Sequence, residues 1–223
     1  MQRIFLGLAS VAILLLVTNA VVGLMGSDFN AAFHAAVDAN RKVTSLEKDR
    51  STSSDDLATA RRARDEAFAE LNKVRPGMTT HILLGSAAAV ITILVCSISV
   101  TYFVGTSRWS KEVVDTYRLS PDLATESARI KRRSFPWSLL GIFTMLAMVA
   151  LGAAADPSGM NHAQSASWVQ PHYLAALIGI GIVGWSFLMQ GQCLAEHSQL
   201  IEKIMAEVQR IRNERGLATK ANA

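Results

Sequence analysis

The side chains most able to do chemistry in this 223-residue chain are five histidines, two cysteines and a scatter of methionines. On the topology argued below, His34, His81, His162 and His172 share one side of a membrane and His197 lies on the other. Met25, Met78 and Met160 join the four histidines, two of them in the short motifs Gly77-Met78-Thr79-Thr80-His81 and Gly159-Met160-Asn161-His162. Thioether with imidazole suits copper, and paired imidazoles suit haem or zinc. His81 and His172 each open an apolar segment, which places them to face each other across one end of a helix bundle.

The spacing argues the other way. None of these intervals is a recognised ligand motif, and histidine and methionine at span ends need no ligand to explain them. Cys96 falls inside an apolar run and Cys193 at the end of one, so neither suggests a disulfide scaffold or a zinc site. The chain has no Gly-x-Ser-x-Gly, no Gly-rich phosphate loop, no His-Glu-x-x-His and no Cys-x-x-Cys. The sequence therefore assigns no catalytic, cofactor-binding or metal-ligating residue, and the expectation is a protein without cofactor that is not an enzyme.

The elements that must position these residues are set by composition. Half of the residues are hydrophobic and 18% are charged, against about 25% charged in a soluble domain. Uncharged runs occupy Ile4–Ser27, Ile82–Ser107, Ser134–Ala155 and Pro157–Ala195. About 20 apolar residues cross a ~30 Å hydrocarbon core, and each run supplies them. The expected fold class is all-α: four transmembrane helices in up-down-up-down order, at 4–27, 82–105, 136–155 and 172–194. Between and beyond them lie a charged helical hairpin (28–81), a basic helical loop (106–135), a short loop (156–171), an amphipathic helix (195–215) and a disordered tail (216–223). The first run extends past the ~7–15 residues of a signal-peptide core and lacks an Ala-x-Ala site, so it reads as a retained span. Ser134 and Pro136 read as the punctuation that opens the third span.

Charge gives orientation. Lys and Arg number nine against nine acids in Asp28–His81, seven against four in Thr106–Phe135, and five against four in Glu196–Ala223. The basic excess is concentrated at Arg129, Lys131, Arg132 and Arg133, which suits a cytoplasmic membrane flank and not a nucleic-acid face. The positive-inside rule places both termini in the cytoplasm, with the 28–81 segment outside, and short loops without an Asn-x-Ser/Thr site suit a bacterial inner membrane. None of the spans carries Asp, Glu, Lys or Arg well inside its apolar core, which argues against a proton- or ion-coupled transporter.

The hairpin is legible as two arms. Phe29, Phe33, Ala36, Asn40 and Val43 recur at coiled-coil steps, as do Leu57, Ala60, Arg64, Ala67, Leu71 and Val74. Between them Ser53 and Asp56 read as a capping box, and Pro76-Gly77 reads as the stop of the second arm. With only Gly26 to interrupt it, the first arm is expected to continue the first span as one helix from about Ile4 to Arg50. A second stripe runs through Leu194, His197, Ile201, Ile204, Val208 and Ile211. It either packs on the amphipathic 108–133 segment or meets a second copy or an external helix, and its balanced acids and bases argue against lying flat on the membrane.

A two-helix projection on so thin a seam is marginal alone. The expected function is therefore a non-enzymatic accessory, scaffold or self-assembling component of a membrane complex. It would meet a protein partner or a second copy through the 28–74 hairpin and the 194–211 stripe, with the lipid bilayer as its other partner and no nucleic acid. The alternatives are a haem- or copper-handling subunit using the outer histidines, and a transmembrane signal coupler.

Overall fold

The computed structural model describes residues 1–26, 28–159 and 162–216, residue 162 by its backbone. The described residues are all-helical: α1 (Gln2–Met25), α2 (Phe29–Lys48), α3 (Ser54–Tyr117), α4 (Pro121–Ala155) and α5 (Ser165–Glu214), with a 3-10 turn at His162–Gln164. Helices α1, α3, α4 and α5 are each long and apolar enough to cross a membrane. At 1.5 Å per residue the 64-residue α3 is roughly 95 Å long, about three times the ~30 Å hydrocarbon core of a bilayer. The expected tail beyond Gly216 lies outside the described residues, as do Met160, Asn161 and the side chain at position 162.

The structure corrects several helix boundaries. Gln2–Lys48 is not one helix, because α1 ends at Met25 and α2 begins at Phe29. Asp28 is the N-cap, its Oδ1 accepting from the Ala31 N–H at 2.9 Å. Asp competes for backbone donors and favours starting a helix over continuing one, and Gly26 two residues earlier tolerates the bend. Helix α2 also stops at Lys48, where Asp49 turns the chain by accepting from the Ser51 N–H at 2.9 Å and hydroxyl at 2.6 Å.

The expected stop at Pro76-Gly77 is absent, since Pro76 lies inside α3. Proline removes one i to i−4 bond, but packing on both sides carries the helix through. Leu71 before it is 3% exposed, and His81 after it reaches the Asn19 main chain. Pro136 likewise lies inside α4, so Ser134 and Pro136 do not open a helix as expected. At the start of α4, Ser120 Oγ accepts from the Asp122 N–H at 3.4 Å. His81 and His172 therefore do not open helices; both lie within longer ones.

The helices divide between two compact units. One comprises Leu14–Ala89 and Leu146–Ile180 and contains the α2–α3 hairpin. Ala36, Val43, Ala60 and Leu71 are buried along it, whereas Asn40, expected in the seam, is exposed. The capping box at its tip is present, with Ser53 Oγ accepting from the Asp56 N–H at 3.1 Å and donating to Asp56 Oδ2 at 2.7 Å. Arg61 reaches Glu47 on the other arm at 2.8 Å, an exposed pair of small energetic weight.

The other unit comprises Met1–Ile13, Val90–Met145 and Gly181–Ala223. Here the second stripe turns inward: Leu194, His197, Ile204 and Val208 are buried, and Ile201 and Ile211 are half-buried. Val114, Leu123 and Ile130 are buried in the same unit. Phe5 meets Phe187 edge-on at 6.1 Å. At the α3–α4 turn Arg118 adopts φ 54°, and the Leu119 N–H bonds to the Val114 carbonyl at 3.0 Å. This is the left-handed helix stop usually filled by glycine.

Candidate functional site

In the hairpin-containing unit, α3 carries His81 and α5 carries His172, and their ring centroids are 6.2 Å apart at 83°. Small residues make room for both rings. A methyl group at Gly23 would lie 2.9 Å from His81 Cε1, and one at Gly152 would lie 3.0 Å from His172 Cε1. His81 Nδ1 is 3.2 Å from the Asn19 carbonyl. A carbonyl only accepts, so Nδ1 carries the proton there and a neutral His81 keeps its lone pair on Nε2. The Tyr173 hydroxyl donates to the Gly23 carbonyl at 2.7 Å, pinning α5 to α1 beside the pair. Asn19 Oδ1 is buried and has no hydrogen-bond partner among the described residues.

Of the other candidates, His34 and Met25 stand apart from the pair. His34 Nε2 lies 3.2 Å from Ser165 Oγ, within a joint where Asn30 donates to Ser165 Oγ and to the Ala155 carbonyl, each at 3.1 Å. That joint ties α2 to the end of α4 and the start of α5, a structural role. Met25 is 82% exposed. Among the described residues no three His, Cys, Asp or Glu side chains converge as a metal site would require. Two imidazoles alone are two ligands short of the four that close a structural zinc site.

In the second unit, His197 is the centre of a buried polar network. Its Nε2 is 2.9 Å from Ser127 Oγ and its Nδ1 is 3.3 Å from the Tyr102 hydroxyl. The rings of Tyr102 and Phe103 pack edge-on against it, each with centroids 5.5 Å away. Burial pushes its pKa below the ordinary imidazole value, because the charged form loses water without gaining a counter-charge. Close by, Arg133 pairs with Glu196 at the surface.

A second network had no counterpart in the sequence reading. Gln190, fully buried on α5, accepts from Ser138 Oγ on α4 at 2.9 Å. Its Nε2 donates to Ser186 Oγ at 3.1 Å and approaches Cys96 Sγ on α3 at 3.8 Å. Gly141 lets this cluster close, since a methyl group there would lie 2.9 Å from Cys96 Sγ. The overlooked signal was an uncharged amide in an apolar run with serine four residues before it. Amide and hydroxyl side chains hydrogen-bond across closely packed apolar helices. Cys96 and Cys193 are both buried and unbridged.

No protein-family model, curated protein or solved structure matches the chain.

Proposed function

We propose that this chain is a non-enzymatic, multi-pass protein of the cytoplasmic (inner) membrane, serving as an accessory, scaffold or self-assembling component of a membrane complex. The hairpin carries the reading. Its seam of Ala36, Val43, Ala60 and Leu71 is occupied within the chain, yet Phe68 remains 39% exposed on the same projection. A large aromatic held out on a charged helical projection is a natural anchor for another chain. In the four spans only 22–33% of the most apolar stretch is buried within the chain, which leaves wide apolar faces for lipid or for a neighbour's helices. In this reading both termini are cytoplasmic and the hairpin stands outside. The helix bearing the 194–211 stripe offers its outward face, where Met205 is 49% exposed.

The test is purification in mild detergent, with size by light scattering and mass spectrometry of co-purifying chains. A stoichiometric partner or a stable homo-oligomer that is lost in Phe68→Asp is the expected result. A wild-type monomer carrying no other chain would overturn the proposal.

The 6.2 Å approach of His81 and His172 favours a second reading, a haem- or copper-handling subunit. A visible spectrum and metal analysis of the same sample decide it. A Soret band or stoichiometric copper that disappears in His81→Ala/His172→Ala supports it, and a colourless, metal-free protein removes it.

A further inference from the structure

Within the unit that holds His197, a cavity of about 360 Å³ opens between α3 and α4. Its walls come from Val104, Ser107, Arg108 and Lys111 on α3 and from Ala124, Ala128 and Lys131 on α4. The spacing explains the shape. On α3 these positions are i, i+3, i+4 and i+7, and on α4 they are i, i+4 and i+7, so each set shares one helix face. Ser107, Ala124 and Ala128 are too small to fill the gap between the helices, and the long cationic side chains stand at its walls. The volume falls in the ~300–1,000 Å³ range of ligand sites.

Three of the seven lining residues are cations and none is an acid. Among the described residues Lys111 and Lys131 have no ion-pair partner. Arg108 pairs with Glu112 at 2.9 Å, with both side chains largely exposed, a contact weak enough to be exchanged for a stronger anion. The cavity also sits where the apolar 82–105 segment ends: Val104 is 53% exposed and apolar, and the cations follow within two turns.

We propose that this cavity holds the phosphate headgroup of an anionic phospholipid, with Lys111, Lys131 and Arg108 on the phosphate and an acyl chain running past Val104. A cationic pocket at the cytoplasmic end of membrane helices has the chemistry that selects anionic over zwitterionic lipid. The proposal rests on the membrane reading of the four long helices and is independent of any protein partner. A free phosphate has the same headgroup chemistry but no use for the apolar wall, so the two sources separate by experiment.

The experiment is native mass spectrometry and lipid titration of the full chain, reconstituted in phosphatidylcholine nanodiscs with increasing phosphatidylglycerol. The expected result is one tightly retained phosphatidylglycerol per chain. At about fivefold in affinity per cation near a membrane surface, Lys111→Gln/Lys131→Gln weakens it roughly thirty-fold. Arg129→Gln/Arg132→Gln removes the same charge outside the cavity and weakens binding far less, because neither side chain lines the phosphate site. Circular dichroism confirms that both variants fold. Equal losses in the two variants would reduce the effect to general surface charge and overturn the site. Displacement of the lipid by millimolar inorganic phosphate, with phosphate retained as tightly, would overturn the lipid assignment.

Discussion

His197 on α5 and Ser127 on α4 meet at 2.9 Å with both side chains fully buried. The imidazole bridges two hydroxyls, since the Tyr102 hydroxyl of α3 lies at its other nitrogen. Neutral imidazole has one donor and one acceptor nitrogen, so one hydroxyl donates to it and the other accepts. Protonation would make both nitrogens donors and place a charge where no carboxylate is bonded to the ring.

Acid should therefore loosen this unit. The folded pKa of His197 is depressed by burial, so the unfolded chain binds the proton more readily. Its contribution is fully present above the unfolded value of about 6.5 and is lost as pH falls through the lower folded value. Melting of the detergent-solubilised protein should drop more steeply below pH 6.5 for wild type than for His197→Gln. Parallel profiles for the two proteins would refute the assignment.

Gln190 and Ser138 should be energetically coupled across α5 and α4. A double-mutant cycle with Gln190→Leu and Ser138→Ala is expected to give about 0.6 kcal/mol, the average for such bonds between membrane helices. Strict additivity of the two losses would show that the bond carries no energy.

Gly152 is held small by His172, because an added methyl would lie 3.0 Å from the ring. Gly152→Ala should cost about 1–3 kcal/mol through overpacking, and His172→Ala in the same chain should recover most of it. A Gly152→Ala protein as stable as wild type would show that the ring moves aside freely.

Arg118 holds a left-handed conformation at the α3–α4 turn. A side chain there is strained by roughly 1 kcal/mol that glycine avoids. Arg118→Gly should raise the melting midpoint, and a lowered one would mean that the side chain makes a compensating contact.

Orientation has its own test. Alkaline phosphatase fused at Ser53 should be active and at Glu214 inactive, as the basic 106–135 loop requires. The opposite pair of activities would invert the proposed topology and move the lipid pocket to the other leaflet.

Much of the architecture could be read from residue order, because it depends on local quantities. Four apolar runs of sufficient length, the seam from Leu57 to Val74, the capping box at Ser53 and the stripe from Leu194 to Ile211 are all periodicities or neighbour effects. Local reasoning failed where distant packing overrides a local preference. Pro76 and Pro136 are strong helix breakers alone, yet helices α3 and α4 pass through them because contacts before and after hold the chain helical. Asp28 made the converse error possible: a single capping carboxylate divides a stretch whose hydrophobic pattern reads as continuous.

Residue order alone determined an all-helical chain with four apolar segments long enough for a membrane, and a charged hairpin between the first two. Tertiary structure alone decided which polar side chains meet. His81 approaches His172 across 91 positions of sequence, Gln190 finds Ser138, and Lys111 and Lys131 line one cavity. The reason is physical: periodicity says which face of a helix is apolar, but the rotation and close approach of two helices depend on small residues such as Gly23, Gly152 and Ala128. Their effect exists only once the partner helix is in place.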